Sequence, residues 1–593
     1  MDNRNLILAV VLSVAILFGF ELIFPSKPVQ TTAEQTQQTV GQDPALPTAP
    51  QMPSATPQAA QTTGQAGTMA GADMQLMDKL NTAEELVKQG ARVSITSPSV
   101  TGSIALKGGR IDDLILNTYN ETLDEGSAKI RLLTPRGTMD SYYAEYGWVG
   151  TNIKTPNNES EWTADRTVLD PANPVTLSWN NGEGLTFKRT IAIDKDYMFT
   201  ITQRVENNSG EAVTMSPYGL VTRWGTPEVS GLYILHEGPL GVFEGVLEEF
   251  DYDDLVDDGT LTTTGGIRNQ TTGGWIGFTD KYWLTALVPD QKQTVNTRMF
   301  YTQTGMIQKY QTDFVGQQFA VAPGQTAEAT THFFAGAKRV TLLDQYAQEH
   351  GIVNFDLAVD FGMFYFLTKP IFHALHWLHG VLGNFGVAIL LLTVAIKLVL
   401  FPLANKSYTA MSKMKKLQPE IKKMQERFKD DKMRLNQEMM ALYKKEKANP
   451  AAGCLPILVQ IPIFFALYKV LLVTIEMRHA PFFGWIQDLS AKDPATILTG
   501  FGFFPWDVPV MLSPFDIGVW PIIMGLTMYM QQKLNPAPTD PVQAKIFMYL
   551  PFIFTFMLAQ FSAGLVIYWA WNNALSILQQ WVIMRRMGVK VGG

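Results

Sequence analysis

Residues 385–406, FGVAILLLTVAIKLVLFPLANK, constrain this chain more than any other stretch. Inside a hydrocarbon core no water meets the backbone, so a crossing segment must be a helix or part of a closed barrel. The run is apolar without strand-like alternation, which selects the helix. At about 1.5 Å per residue it is long enough to cross a core of roughly 30 Å. Lys397 stands inside it. An ammonium near the centre of a membrane helix costs about 2.5–3.5 kcal/mol on insertion scales, and intramembrane ionisable residues mark functional cavities. Ordinary snorkelling is the competing explanation. Lys397 precedes Lys406, taken as the water edge, by nine residues, so in a straight helix its Cα lies about 14 Å below that edge. A lysine stem covers about half of that distance, which favours a watery cavity.

Charge divides the 593 residues into two environments: residues 1–355 carry 24 Lys+Arg against 40 Asp+Glu, and residues 356–593 carry 23 against 14. Four further apolar segments follow the first, giving spans expected near 385–404, 455–475, 517–532, 546–561 and 564–583. Between the first two lies a segment at 405–450 with 13 basic and 6 acidic residues. A loop so rich in Lys and Arg stays in the cytosol. Its stripes Met411, Met414, Leu417, Ile421, Met424, Phe428 and then Leu435, Met439, Leu442, separated by a turn at Lys429, Asp430 and Asp431, describe a helical hairpin.

Residues 1–25 read as an uncleaved anchor, because Glu21 to Pro25 offer no small-residue cleavage site. With that anchor, six spans place both termini and all basic loops in the cytosol. Residues 26–90, rich in Gln, Thr, Ala and Pro, read as a disordered tether. Residues 91–345 then fall across the membrane. There the hydrophobic period switches to two: Val175, Leu177 and Trp179, a turn at Asn180, Asn181 and Gly182, then Leu185, Phe187, Ile191 and Ile193, then Tyr197, Phe199, Ile201 and Val205. With similar segments at 111–116 and 283–288, a β-sandwich of more than ten strands is expected. Its acidic residues Glu248, Glu249, Asp251, Asp253, Asp254, Asp257 and Asp258 lack calcium-loop spacing and read as a solvated loop. Residues 360–383 read as an amphipathic helix in the bilayer interface, with Lys369, His373 and His376 turned to water. Residues 480–514, broken by Asp488, Asp493, Pro505, Asp507 and Pro509, read as an interfacial loop.

No phosphate loop, zinc helix, paired CxxC or nucleophile elbow occurs, no cofactor or metal is implied, and the single Cys454 excludes an intrachain disulfide. The spans carry polar residues instead: Thr393 and Lys397, Gln460, Gln560, Asn572 and Asn573. Gathered in one bundle they would line a hydrated cavity; separately they would serve as glue between helices.

Four stretches make the chain resemble the YidC-type membrane protein insertases of Gram-negative bacteria: GFTDKYWLTALVPD (277–290), KLQPEIKKMQERFKDDKMRLNQEMMALYKKEKANPAAGCLPILVQIPIFFALY (416–468), APFFGWIQDLSAKDP (480–494) and SAGLVIYWAWNNALSILQQ (562–580). The resemblance spans essentially the whole length. It implies a multi-domain membrane protein: a periplasmic all-β supersandwich, a bundle of five core transmembrane helices with an additional N-terminal anchor, and a cytosolic helical hairpin. It implies a non-enzymatic insertase and foldase of the inner membrane, without a small-molecule substrate, working alone or with the Sec translocon on nascent membrane proteins delivered by the ribosome. By position, Lys397 matches the family's groove arginine, Thr393 and Gln460 its polar neighbours, and Tyr568 and Trp569 the aromatic pair that contacts substrate, with Asn572 and Asn573 beside them. Lys413, Lys415, Lys416, Lys422, Lys423, Arg427, Arg585 and Arg586 are the expected ribosome- and nascent-chain-docking cations. Two departures stand out. Lysine replaces the arginine and lacks its five-donor fork, and the loop at 496–515 is longer than in the best-known members. Two rival classes remain, a secondary transporter and a membrane-tethered periplasmic carbohydrate-binding protein or enzyme. The first lacks the internal repeat that transporters show. The second rests on the sandwich alone.

Overall fold

The structure is a computed structural model that describes residues 82–588 except 232–234, 262–265, 306, 429–430, 447–454, 505, 507 and 536–540. The anchor expected at 1–25 and the linker as far as residue 81 lie outside the described residues. The linker ends earlier than residue 90. Thr82 starts helix α1 (Ala83–Lys88) with a reciprocal capping box to Glu85, and Glu84 pairs with Arg131 of the β-domain at 2.8 Å.

Among the described residues the β-domain forms two sheets, of eleven and nine strands. The meander read from the sequence forms the spine of the second. Leu185–Ile193 pairs antiparallel with Val175–Asn180 on one side and with Met198–Asn207 on the other. Strict alternation along Leu185–Ile193 buries Leu185, Phe187, Arg189, Ile191 and Ile193. The Asn-Asn-Gly turn works by side-chain mimicry of backbone: Asn181 Oδ1 accepts from the amides of Glu183 and Leu185, and Gly182 takes φ +78°. The sheets meet face to face, with Tyr146 of the first against Phe333 of the second at 6.4 Å and Tyr142 bonded to Thr285 at 2.6 Å. The acidic segment is not a loop. It forms a strand, Val246–Glu249, and helix α2 (Tyr252–Leu261), because Tyr252 and Leu255 supply an apolar face that packs into the core.

Helix α3 (Val340–Glu349) leads to a 3₁₀ turn at Phe355–Ala358 and then to α4 (Tyr365–Leu382). The polar side of α4 divides: the Lys369 ammonium meets protein, 2.7 Å from Asp344 and 2.6 Å from Asp356, while His373 and His376 are exposed as expected. Gly383, at φ +70°, ends α4, and the Asn384 side chain accepts from the Val387 amide to start α5 (Phe385–Val399). Helix α5 stops after 15 residues. Pro402 cannot donate to Leu398 and its ring crowds that carbonyl, so the chain turns by 70° into α6 (Phe401–Arg427). The helix thus breaks at residue 400, inside the span expected at 385–404. Among the described residues no single helix is long and apolar enough to cross a membrane, while this bent pair passes by length and composition.

Asp431 caps α7 (Lys432–Lys445) through the Arg434 amide. Its Met439 and Leu442 pack on Leu417 and Ile421 of α6, as the two stripes require. Helices α8 (Leu455–Val473), α9 (Val519–Leu534), α10 (Pro541–Leu558) and α11 (Ala563–Arg586) complete the bundle. In α10, Pro551 leaves the Phe547 carbonyl without its helical donor, and the Gln532 amide of α9 donates to it instead. The β-domain is clamped to the top of α8. Lys469 pairs with Asp360 at 2.7 Å, Glu476 accepts from the Val340 amide at 3.3 Å, and Arg478 donates to the Asn120 carbonyl at 2.6 Å.

Candidate functional site

The polar residues of the spans divide into two sets. Helix α11 carries Tyr568, Asn572, Ser576 and Gln580 four residues apart, so they share one stripe. All four are buried. Opposite that stripe, α5 brings Thr393 and Lys397 and α8 brings Gln460. Together with Tyr408 of α6 they border a cavity of about 30 Å³, lined by Thr393, Lys397, Tyr408, Gln460, Tyr568 and Asn572 and, over most of its surface, by apolar side chains such as Ile396, Leu403 and Ile463. A bound water needs about 10–15 Å³ by this measure, so the space suits one or two waters.

Lys397 occupies the last turn of α5, three residues before the bend. The depth argument for a straight helix therefore does not apply. The free carbonyls and negative dipole end of a helix stabilise a cation placed there. Its ammonium donates to Ser576 Oγ at 2.7 Å, and Ser576 in turn donates to the Asn572 carbonyl at 2.8 Å. Among the described residues no carboxylate lies within ion-pair distance of Lys397. Gln460 Nε2 donates to Asn572 Oδ1 at 2.7 Å and ties α8 to α11. Thr393, which lines the cavity, donates its hydroxyl to the Ile389 carbonyl at 2.7 Å.

The other expected residues point elsewhere. Trp569 turns from the cavity and rests edge-on against Phe464 at 4.7 Å and beside Phe554 at 5.8 Å. Asn573 donates to Thr527 of α9 at 3.4 Å, an interhelical bond outside the cavity. Gln560 bonds the Ser513 carbonyl of the loop before α9 at 2.7 Å. The aromatic pair and the asparagine pair each split because adjacent residues on a helix face about 100° apart.

The basic residues also divide. Lys413, Lys422, Lys423, Arg427, Arg585 and Arg586 are exposed. Lys415 and the likewise exposed Lys416 reach helix ends, donating to the carbonyls of Lys533 at 3.3 Å and Met587 at 2.7 Å, which satisfies C-terminal carbonyls of α9 and α11. Ser576 and Tyr408 are the site residues that sequence reasoning missed. The four-residue step from Asn572 was the available signal for Ser576.

Comparison with known proteins finds relatives over the whole length of the chain. A family model of the YidC periplasmic domain matches residues 92–374, and a model of the 60Kd inner membrane protein matches residues 377–590. The chain is 48% identical over 596 residues to the membrane protein insertase YidC of Methylorubrum extorquens (strain PA1), covering 100% of this chain and 96% of that one. It is 49% identical over 591 residues to the membrane protein insertase YidC of Granulibacter bethesdensis, covering 99% and 98%. A solved structure titled as an active YidC insertase with its first transmembrane domain resolved aligns at 17% identity and TM-score 0.34, covering 86% of this chain and 96% of that one.

Proposed function

The chain belongs to the YidC family of bacterial inner-membrane protein insertases, and from that premise we propose that it inserts substrate helices along the cavity between α5, α8 and α11. One observation carries the reading: among the described residues the Lys397 ammonium is held by a serine hydroxyl and by no carboxylate. Such a cation, with no counter-ion among the described residues, attracts the acidic residues of a translocated segment. Thr393, Gln460, Tyr568 and Asn572 supply hydrogen bonds to its polar flank, so that flank enters without full desolvation. The apolar body then partitions sideways into lipid.

As described, the cavity holds a water or two, not a helix about 10 Å across. Substrate entry therefore separates α8 from α11. The Gln460–Asn572 hydrogen bond spans that seam, and such an interhelical bond in a membrane is worth about 0.6–2 kcal/mol. Opening is cheap in that contact.

In this reading five spans follow an anchor at 1–25, both termini and the hairpin lie in the cytosol, and the β-domain lies in the periplasm. The exposed cations Lys413, Lys422, Lys423, Arg427, Arg585 and Arg586 receive ribosome-borne chains, alone or beside the Sec translocon. Lys415 and Lys416 hold the hairpin to the bundle, and Trp569 and Asn573 shape the wall behind Tyr568.

Photocrosslinking from single positions to a stalled nascent membrane protein tests the route. Probes replacing Tyr568 and Thr393 are expected to capture the nascent chain, and a probe replacing Asn573, on the α9 side, is not. Equal capture from Asn573 with none from Tyr568 would overturn the proposed path.

A further inference from the structure

The loop between α8 and α9 has a polar, tightly bonded base and an apolar tip. At the base, the buried Asp493 carboxylate accepts from Trp485 Nε1 at 2.9 Å, from the Ala495 amide at 3.0 Å and from the Trp520 amide at 2.7 Å, which caps the start of α9. Ile497 and Val519 pair across the neck with Ile517 and Ala495 at 3.0 Å each. Beyond the neck the side chains turn outward. Phe503 is 86% exposed and Met511 85% exposed, and Phe501, Phe504, Trp506 and Phe515 are exposed with them. Asp507 is the one charged residue of the sequence between Thr496 and Phe515.

Three features suit this tip to lipid rather than water. Much of its described backbone is satisfied from within: the amides of Phe501 and Phe504 donate to the carbonyls of Thr496 and Thr499 at 2.7 and 2.9 Å, and Trp506 Nε1 donates to the Leu498 carbonyl at 2.9 Å. Irregular chain tolerates a membrane edge only under that condition. The tip is continuous with the apolar outer surface of the bundle. Phe515 meets Phe556 of α10 at 5.4 Å, and Phe552 and Leu526 extend the exposed apolar band along α10 and α9. Helix α9 has 16 residues, about 24 Å of rise, and a hydrocarbon core is roughly 30 Å thick. The loop starts where that helix falls short.

We propose that the loop at 496–515 is a lipid-seated aromatic knob, its tip embedded in the periplasmic leaflet beside α9 and α10, where it fixes the depth of that helix pair. This rests on the membrane-embedded reading of the bundle. Aromatic side chains favour the level where hydrocarbon meets headgroups, and the knob supplies there the apolar length that α9 lacks.

Fluorescence quenching in the full chain tests it. In a Cys454→Ser background, Phe503→Cys, Leu526→Cys and Lys195→Cys are labelled singly with an environment-sensitive dye. The proteins are reconstituted in phosphatidylcholine–phosphatidylglycerol vesicles. Leu526 reports the lipid face of α9 and Lys195 the exposed β-domain. The Phe503 label is expected to be quenched by lipids carrying a nitroxide near the headgroup at least half as strongly as the Leu526 label, and to be shielded several-fold from aqueous iodide relative to Lys195. Iodide quenching equal to that at Lys195 overturns the proposal by placing the tip in water. Shielding from both quenchers overturns it by placing a protein surface there. Failure of lipid quenching at Leu526 itself overturns the membrane reading of α9 and the knob with it.

Discussion

Replacing Ser576 with Asp tests the electrostatics of the cavity without touching the lysine. The serine oxygen lies 2.7 Å from the Lys397 ammonium, so Ser576→Asp sets a permanent carboxylate in contact with the charge offered to substrates. At an effective dielectric of about 20, opposite charges near that separation attract by about 6 kcal/mol, and a substrate carboxylate approaching to about 6 Å gains about 3 kcal/mol. Desolvation reduces both figures, and the fixed, closer partner still wins. Each 1.4 kcal/mol or so is a factor of ten. Insertion of a substrate with an acidic short translocated tail into proteoliposomes is therefore expected to fall at least tenfold. The same substrate with a neutral tail is expected to insert at the original rate. Ser576→Ala serves as the partner control: it removes the hydrogen bond and leaves the charge free, so acidic tails retain their advantage while thermal stability drops. Undiminished insertion of acidic tails by a folded Ser576→Asp protein would refute the reasoning.

Burial lifts the Glu476 carboxyl to about 7, beside the Val340 amide that it accepts from. Its folded-state value lies above the unfolded one, so stability is full near pH 4 and declines as pH rises towards about 7. Glu476→Gln is expected to remove this slope and raise stability at pH 8 by at most about 3 kcal/mol, measured by thermal unfolding of the full chain in detergent. Lys416→Ala removes the donor to the Met587 carbonyl and is expected to cost a few tenths to about 1 kcal/mol. Lys422→Ala is expected to leave unfolding unchanged and weaken salt-sensitive ribosome binding in co-sedimentation. A Cβ at Gly525 would meet Thr555 Oγ1 at 2.0 Å, so Gly525→Ala is expected to cost about 1–3 kcal/mol by overpacking. Thr555→Ala should restore most of that loss; failure of the rescue would place the strain elsewhere.

Elements defined by local periodicity were legible from residues alone. Period two in 175–205 produced the observed meander, and the two methionine-rich stripes of the hairpin meet as read. The cavity was half legible. Lys397, Thr393, Gln460, Tyr568 and Asn572 converge, whereas Trp569, Asn573 and Gln560 do not, because polarity alone carries no information about helix facing. The four-residue stripe through Ser576 and Gln580 was present in the sequence and resolves the facing of Tyr568 and Asn572. Pro402 likewise signalled the bend that shortens α5. The junction of the β-domain with α8 was not legible. Glu476 meets Val340 across 136 residues and Arg478 meets Asn120 across 358, and no local pattern specifies such pairings.

The central claim is that Lys397 acts as an unneutralised cation towards translocated acidic residues. The direct measurement is the ratio of acidic-tail to neutral-tail insertion in proteoliposomes for the unmodified protein, Lys397→Ala and Lys397→Arg. The ratio is expected to collapse in Lys397→Ala and to persist in Lys397→Arg, with neutral-tail insertion little changed in either. An unchanged ratio in Lys397→Ala would contradict the account.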